Sequence, residues 1–306
     1  MRIAVTGGSG FIGSHLVDRL LLAGHEPVVL DLRPPHRPDV ESKQVDVLDA
    51  ASINVALAGC EAVFHLAAVA DVNEAFEAPA DAINRNVVGT ARVLDAAMTN
   101  GVDRFFLAST VWVYGSAAMT ESGPLDERST FDLSVAAHVY TASKVAAEMV
   151  VQSYAKLYGQ KFTILRYGVP FGPRMRPELV ISRFVELAKA DQPITIQGDG
   201  SAYRRFVYVE DLADAHIKAL APAAINKILN LEGDVEISVR EIVDAVAAVL
   251  GRDVRTEFQH ARPGDFAGLP ISGEAAARVL GWRPTTAFAE GLRRYVLWLD
   301  QQPVTS

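Results

Sequence analysis

Cysteine is almost absent from this chain. The single Cys60 has no partner for an internal disulfide and no neighbouring histidine or acid to activate it, so it reads as a small buried residue. Long apolar runs are missing as well. None approaches the roughly 20 residues that span a bilayer, and the N-terminus reads as a strand, without the basic-then-apolar layout of a secretory leader. The expectation is a cytoplasmic protein with no membrane partner. Positive charge is in deficit, with 29 lysines and arginines against 37 acids and a net charge of −8, which argues against a nucleic-acid partner. Seven histidines (His15, His25, His36, His65, His138, His216 and His260) are scattered without metal-ligand spacing, so no metal is expected and most read as structural or surface residues.

What is present is ordinary globular material. The 306 residues are 50% hydrophobic and 22% charged, enough for one large α/β unit or two packed domains. The informative stretch is the first, MRIAVTGGSGFIGSHL, in which a short β-branched strand runs into Thr6-Gly7-Gly8-Ser9-Gly10-Phe11-Ile12-Gly13 and then a helical pattern. Glycines there let backbone approach a pyrophosphate, and the helix start offers unpaired N–H groups and partial positive charge. A second strand, Pro27–Leu30, ends in Asp31, placed to accept hydrogen bonds from the adenosine ribose. Its charge favours NAD over NADP, with Arg33 as the opposing influence.

Apolar runs alternate with helical patterns through the first two-thirds of the chain, the signature of a parallel sheet covered on both faces. Candidate strands are Arg2–Val5, Pro27–Leu30, Ala62–Leu66, Arg104–Ser109 and Lys161–Arg166, and candidate helices are Phe11–Ala23, Asp81–Asn100 and His138–Tyr158. Ligands should gather where those strands end, near Gly7, His65, Ser109 and Arg166. The glycines and prolines of residues 167–177 break that texture. The expected fold is an α/β, Rossmann-type doubly wound parallel sheet (residues 1–166) with a smaller C-terminal substrate domain (residues 167–306). Elements near residues 206–231 are expected to return to the large sheet.

Tyr140-Thr141-Ala142-Ser143-Lys144 sets a phenol and an ammonium on one helical face, and Ser109 and Thr110 bring hydroxyls to the end of the preceding strand. With these residues the chain resembles the extended short-chain dehydrogenase/reductase family, in its nucleotide-sugar epimerase and dehydratase branch. The ordered matches run nearly end to end. They include Thr6–Gly13, Asp31, Asp46-Val47, His65-Leu66-Ala67-Ala68, Asn86-Val87-Val88-Gly89-Thr90, Ser109–Gly115, the Tyr140–Lys144 pentad, Leu165-Arg166-Tyr167, Gly172-Pro173, Gly198-Asp199-Gly200, Phe206–Val209 and Arg262–Asp265.

The resemblance implies Tyr140 as general base toward a sugar hydroxyl, Thr110 as the bridging hydroxyl, and Lys144 as the cation that holds the nicotinamide ribose and stabilises the phenolate. The physical need is independent of the family: a free phenol titrates near ~10, so a base working near neutral pH requires nearby positive charge contributing on the order of 4 kcal/mol. The resemblance further implies an NAD site built from Gly7, Gly10, Phe11, Ile12, Gly13, Asp31, Leu32, Asp46, Val47, Leu66, Ala67, Ala68, Asn86, Ser109, Tyr140, Lys144, Tyr167 and Val169. Arg174, Arg176, Arg204, Arg262 and Asp265 are implied on the nucleotide-sugar side, with Arg204 and Arg262 on the diphosphate.

Departures from the pattern narrow the reaction. Dehydratases of this branch place Asp and Glu directly after the threonine; here Val111 and Trp112 stand there, and neither moves a proton. What remains is reversible oxidation of one carbinol, hence a C4-epimerase. Val169 replaces a family Asn, Arg205 follows Arg204 where an Arg-Asp pair is usual, and residues 172–179 resemble a run in epimerases acting on UDP-glucuronate. A reductase or dehydrogenase that exchanges NAD(P)H each turnover, or a dehydratase, stays open, as does a non-catalytic dinucleotide sensor, which would have no reason to keep Thr110, Tyr140 and Lys144. Apolar residues beyond one stripe on Asp81–Asn100 and His138–Tyr158 (Val87, Val88, Ala91, Leu94, Met98; Val145, Ala146, Met149, Val150) point to a homodimer.

Overall fold

The structure, a computed structural model, describes residues 1–115, 123–130, 138–260, 268 and 270–302. Strands and helices alternate first as β1 (Arg2–Thr6), α1 (Phe11–Leu22), β2 (Glu26–Asp31), β3 (Ser42–Gln44), α2 (Ala50–Ala56), β4 (Ala62–His65), α3 (Val72–Glu77) and α4 (Pro79–Ile83). They continue as α5 (Gly89–Thr99), β5 (Arg104–Thr110), α6 (Val139–Tyr158) and β6 (Lys161–Tyr167). A π-helical turn, Asn84–Val88, joins α4 to α5 within the single helix expected there. The third strand, Ser42–Gln44, escaped the sequence reading because it is short and polar and lies at the sheet edge.

The rest of the chain is β7 (Val169–Phe171), α7 (Val180–Lys189), β8 (Ile194–Gln197), β9 (Tyr203–Tyr208), α8 (Val209–Ala219), β10 (Lys227–Leu231), β11 (Glu236–Ser238), α9 (Val239–Leu250), β12 (Thr256–Gln259), α10 (Glu274–Leu280) and α11 (Phe288–Asp300). Seven strands make one sheet in the order β10-β6-β5-β4-β1-β2-β3, all parallel. Successive side chains of a strand face opposite layers. Thus Ile3 and Val5 pack with Leu16 and Leu20 of α1, Leu212 of α8 and Leu280 of α10, while Ala4 packs with Val93 and Leu94 of α5 and Val151 of α6.

β10 returns to the large sheet as expected, but β9 does not. It lies between β11 and β7 in a separate three-stranded sheet, because the chain turns at Gly168 straight into β7 and β7 offers it a parallel partner. Around that sheet Phe171, Val185, Tyr208, Val246, Leu292 and Tyr295 form the core of the smaller domain.

Strand order reverses at β1, which lies between β4 and β2, so the crevice of a doubly wound sheet opens beside Gly7 and the end of β4. The glycines there are space-limited. A Cβ on Gly13 would stand 2.2 Å from the Gly7 carbonyl oxygen and 2.8 Å from Gly8 Cα. Gly13→Ala is therefore expected to lower stability by about 3 kcal/mol, the upper part of the overpacking range. Urea unfolding checks this, and an unchanged midpoint would mean that the turn and helix are free to separate.

Candidate active site

The glycine turn leaves a cradle of backbone. Gly7 has φ +71°, and a Cβ there would meet the Ala67 nitrogen at 2.7 Å, so β1 and the segment after β4 close together only without a side chain. Gly10 is different. It precedes α1 with no side-chain cap, leaving the first N–H groups of a 12-residue helix available, and a Cβ there would have only the Gly7 oxygen and an Arg33 guanidinium nitrogen within 4 Å. At the end of β2, Asp31 accepts from the Ser9 and Arg33 backbone N–H groups, each at 3.0 Å. Its carboxylate is thereby aimed beside the turn, with the Arg33 side chain 3.7 Å away and largely exposed. Asp46 accepts from Leu48 N–H, Val47 is buried against Gly89, and Leu32 is half exposed.

A buried hydrogen-bond chain links this cradle to α6. The backbone N–H of Ala67 donates to Thr6 Oγ1 (3.3 Å) and Thr6 pairs with His65 Nδ1 (2.7 Å). His65 Nε2 pairs with Thr90 Oγ1 (3.0 Å), which donates to the Asn86 carbonyl (2.7 Å). Since the Thr90 proton is committed to Asn86, the donors fall in one direction: Thr6 O–H to Nδ1, and Nε2–H to Thr90. The Asn86 amide then bonds Val69 N–H and C=O at 2.8 and 3.0 Å and donates to Ser143 Oγ (2.9 Å), which donates to the Tyr140 carbonyl (2.7 Å). Asn86 sits on the π-helical turn, a local widening that recurs at functional sites. Burial pushes His65 down to about 3, with Lys144 adding to the effect, so its ring is neutral. His65 is thus a buried structural link in this chain.

The expected trio comes together. Thr110 ends β5, Tyr140 and Lys144 lie one turn apart on α6, and the Thr110 hydroxyl lies close enough to Tyr140 to favour its ionised form. Lys144 Nζ donates to the Ala108 carbonyl at 3.1 Å. Burial governs both titrations: the Tyr140 phenol is pushed up to about 12, opposed by Thr110 and the Arg176 charge, and the Lys144 ammonium down to about 8, opposed by Glu148. Desolvation thus dominates the phenol, and the charge that opposes it here is that of Arg176.

Ser109, expected among the cofactor contacts, departs from that placement. Its hydroxyl is buried and donates to Glu148 Oε1 at 2.5 Å, on the α6 side of the strand. Tyr167 likewise sends its hydroxyl to His216 Nε2 of α8, whose Nδ1–H donates to Leu212 O. Val169 opens β7 opposite Phe206. Phe11 and Ile12 are the first residues of α1.

The arginines are less free than the sequence reading supposed. Arg174 ion-pairs with Asp18 of α1 at 2.8 Å, and the neighbouring Pro173 carbonyl meets His15 Nε2 at 2.9 Å. Arg176 pairs with Asp71, which caps α3, at 3.1 Å. The loop 173–176 is thus strapped across to the large domain. Arg204 donates to the Tyr203 carbonyl, and Arg205 ties Glu236 to the Ile271 carbonyl. Leu66 and Ala67 bond back to Thr6, with Ala68 following, and Arg262 and Asp265 lie outside the described residues. The sequence reading overlooked Ser143, Glu148 and a role for His65; the i+4 step from Lys144 to Glu148 was the available signal.

The profile of the NAD dependent epimerase/dehydratase family matches residues 3–231. The chain is 35% identical to the UDP-glucose 4-epimerase of Mycolicibacterium smegmatis, over 97% of each protein. Its fold is similar to the Thermotoga maritima UDP-glucose 4-epimerase with UDP-glucose, at TM-score 0.90 and 29% identity over 98% of this chain and 99% of that one. It is also similar to the Bacillus cereus UDP-glucuronic acid 4-epimerase in complex with UDP-glucuronic acid and NAD, at TM-score 0.89 and 26% identity over 98% and 99%.

Neutral His65 has a consequence for stability. Below 6.5 the unfolded chain takes up a proton on this ring while the folded chain refuses it down to about 3, so stability conferred above 6.5 is lost as pH falls. Between those values the wild type should lose stability relative to His65→Gln by about 1.4 kcal/mol per pH unit. Urea unfolding of both proteins at a series of pH values checks the slope, and parallel curves would refute a neutral buried ring.

Proposed function

Because the chain belongs to the NAD-dependent epimerase/dehydratase family, we propose that it inverts the C4 carbinol of a UDP-sugar, either UDP-glucose/galactose or UDP-glucuronate, with NAD as its cofactor. The observation that carries the reaction type is the convergence at the end of β5 of the Thr110 hydroxyl, Tyr140 and, one turn further along α6, Lys144, whose ammonium bonds the Ala108 carbonyl. Positions 111 and 112, a buried valine and a tryptophan, hold no group that carries protons for elimination of water.

The residues fit a dinucleotide. The uncapped start of α1 with Gly7, Gly10, Phe11, Ile12 and Gly13 suits a pyrophosphate, and Asp31 with Leu32 the adenosine ribose. Asp46 and Val47 suit the adenine, and Leu66, Ala67, Ala68, Asn86, Tyr140, Lys144 and Val169 the nicotinamide half. Bound NAD supplies a hydride acceptor and a cationic ring. Tyr140 takes the carbinol proton and returns it, through or beside the Thr110 hydroxyl. Lys144 keeps positive charge by the phenol, which burial otherwise holds protonated. Arg204, with Arg262 and Asp265, is assigned to the diphosphate end, where local cations must collect an anion for an acidic protein.

A second reading concerns the sugar. Arg176 is the cation that acts on Tyr140 from the opposing loop and is 42% exposed beside Asp71, a setting suited to the carboxylate of UDP-glucuronate. Arg174, held by Asp18, serves that loop's position. The reading includes a homodimer and a cytoplasmic location, which suits a user of NAD and nucleotide sugars. Leu94 and Val145 prove to belong to the chain's own core, but Val88, Met98 and Met149 remain exposed on α5, α6 and the turn before α5. Among the described residues no helix is long and apolar enough to cross a membrane.

Incubation of the purified protein with UDP-glucose, UDP-galactose or UDP-glucuronate and no added cofactor should yield an epimer of unchanged mass. Tyr140→Phe should slow it about 10²–10⁴-fold. Product lighter by water or carbon dioxide, or turnover only with added NAD(P)H, would overturn the epimerase. Arg176→Ala should raise KM for UDP-glucuronate and spare UDP-glucose; equal effects remove the carboxylate reading. Light scattering at micromolar concentration should give twice the 33.0 kDa chain mass, and a monomer would refute the dimer.

A further inference from the structure

Glu148 and Arg166 form an ion pair whose side chains are 1% and 3% exposed. Both Arg166 Nε and Nη2 bond the carboxylate, at 3.0 and 2.7 Å, and Nη1 donates to Tyr114 OH, which donates to Asn230 Oδ1. A buried ion pair by itself adds little net stability, because desolvation offsets the attraction. Its place on α6 is more telling. Tyr140, Lys144 and Glu148 follow one another at single-turn spacing, and each meets one of three successive residues of β5: Tyr140 lies beside the Thr110 side chain, Lys144 donates to the Ala108 carbonyl, and Glu148 accepts from the Ser109 hydroxyl.

We propose that Glu148 is a positioning residue for the reaction: through Ser109 and Arg166 it clamps the ends of β5 and β6 to α6, one helical turn beyond the Lys144 ammonium. Burial works against that ammonium, and Glu148 is the group that opposes burial. Of the other charged groups nearby, His65 on β4 is neutral, Arg166 on β6 is committed to Glu148, and Arg176 bears on Tyr140. An apolar pair in place of Glu148 and Arg166 would fill the volume but leave the buried Ser109 hydroxyl without its acceptor.

The proposal rests on Tyr140 and Lys144 as the reacting pair, but its decisive measurement does not require turnover. In protein carrying ¹³Cε-labelled lysine, with Lys144→Met identifying the resonance, Lys144 is expected to titrate about 1 pH unit lower in Glu148→Gln than in the wild type. Glu148→Asp, which keeps the charge, should recover part of that difference. In the same variant kcat at pH 8 should drop about fivefold, the alkaline limb of the kcat profile should move down with the lysine, and KM should stay within about twofold. If Glu148→Gln fails to fold with Arg166 unpaired, Arg166→Gln and Glu148→Gln/Arg166→Gln, which differ only in the Glu148 charge, are compared instead, and Lys144 should titrate lower in the double variant. An unmoved Lys144 titration, with only a lowered melting temperature, would make the pair purely structural and overturn the proposal. A moved titration in a protein that converts no UDP-sugar would leave the Glu148–Lys144 coupling standing and sink the functional reading instead.

Discussion

Between β1 and α6, the buried polar groups of Thr6, His65, Thr90, Asn86 and Ser143 have one another and a few backbone atoms to bond with, and their mutual satisfaction sets the site. Each unpaired member would cost about 1–3 kcal/mol in the dry interior. The chain ends on the Tyr140 carbonyl, so the position of the phenol-bearing turn is referred back, bond by bond, to the strand that carries the glycine turn. The π-helical turn at Asn84–Val88 belongs to the same constraint. It carries the Asn86 side chain that bonds both Val69 and Ser143, each on a different neighbouring segment.

Burial that makes these bonds strong also opposes the chemistry. It holds Tyr140 as a neutral phenol at about 12 and pulls Lys144 to about 8, so the site works against its own dielectric and needs charge placed nearby. Negative charge comes from Glu148 and positive charge from Arg176. In a chain of net charge −8 these local arrangements outweigh the overall field, and several cations near the site are already committed to acids. Those pairs also tie the two domains together, Arg174 to α1 and Arg176 to the cap of α3.

Much of this was legible in the amino-acid order. The five central strands and their parallel arrangement follow from short β-branched runs separated by longer helical patterns, and the one-turn spacing of Tyr140 and Lys144 follows from helical geometry. Elements that failed to announce themselves were mostly short or half exposed: Ser42–Gln44 at the sheet edge, Val169–Phe171 immediately after β6, and α2, whose burial is confined to Ile53 and Ala56; the ten-residue α7 was not read from the sequence either. The partner of Tyr203–Tyr208 was not legible either, because a parallel neighbour is chosen by the path of a distant strand.

The linear sequence by itself determined the five central strands, the glycine turn, the acid at the end of β2 and the one-turn spacing of Tyr140 and Lys144, since these depend on local sterics and spacing within one element. Tertiary structure alone decided direction: Ser109 turned to Glu148, Tyr167 to His216, and His65 locked between two threonines. The physical reason is that a buried donor or acceptor takes its role from whichever complementary atom the packing brings within about 3 Å, and those partners come from segments tens of residues away.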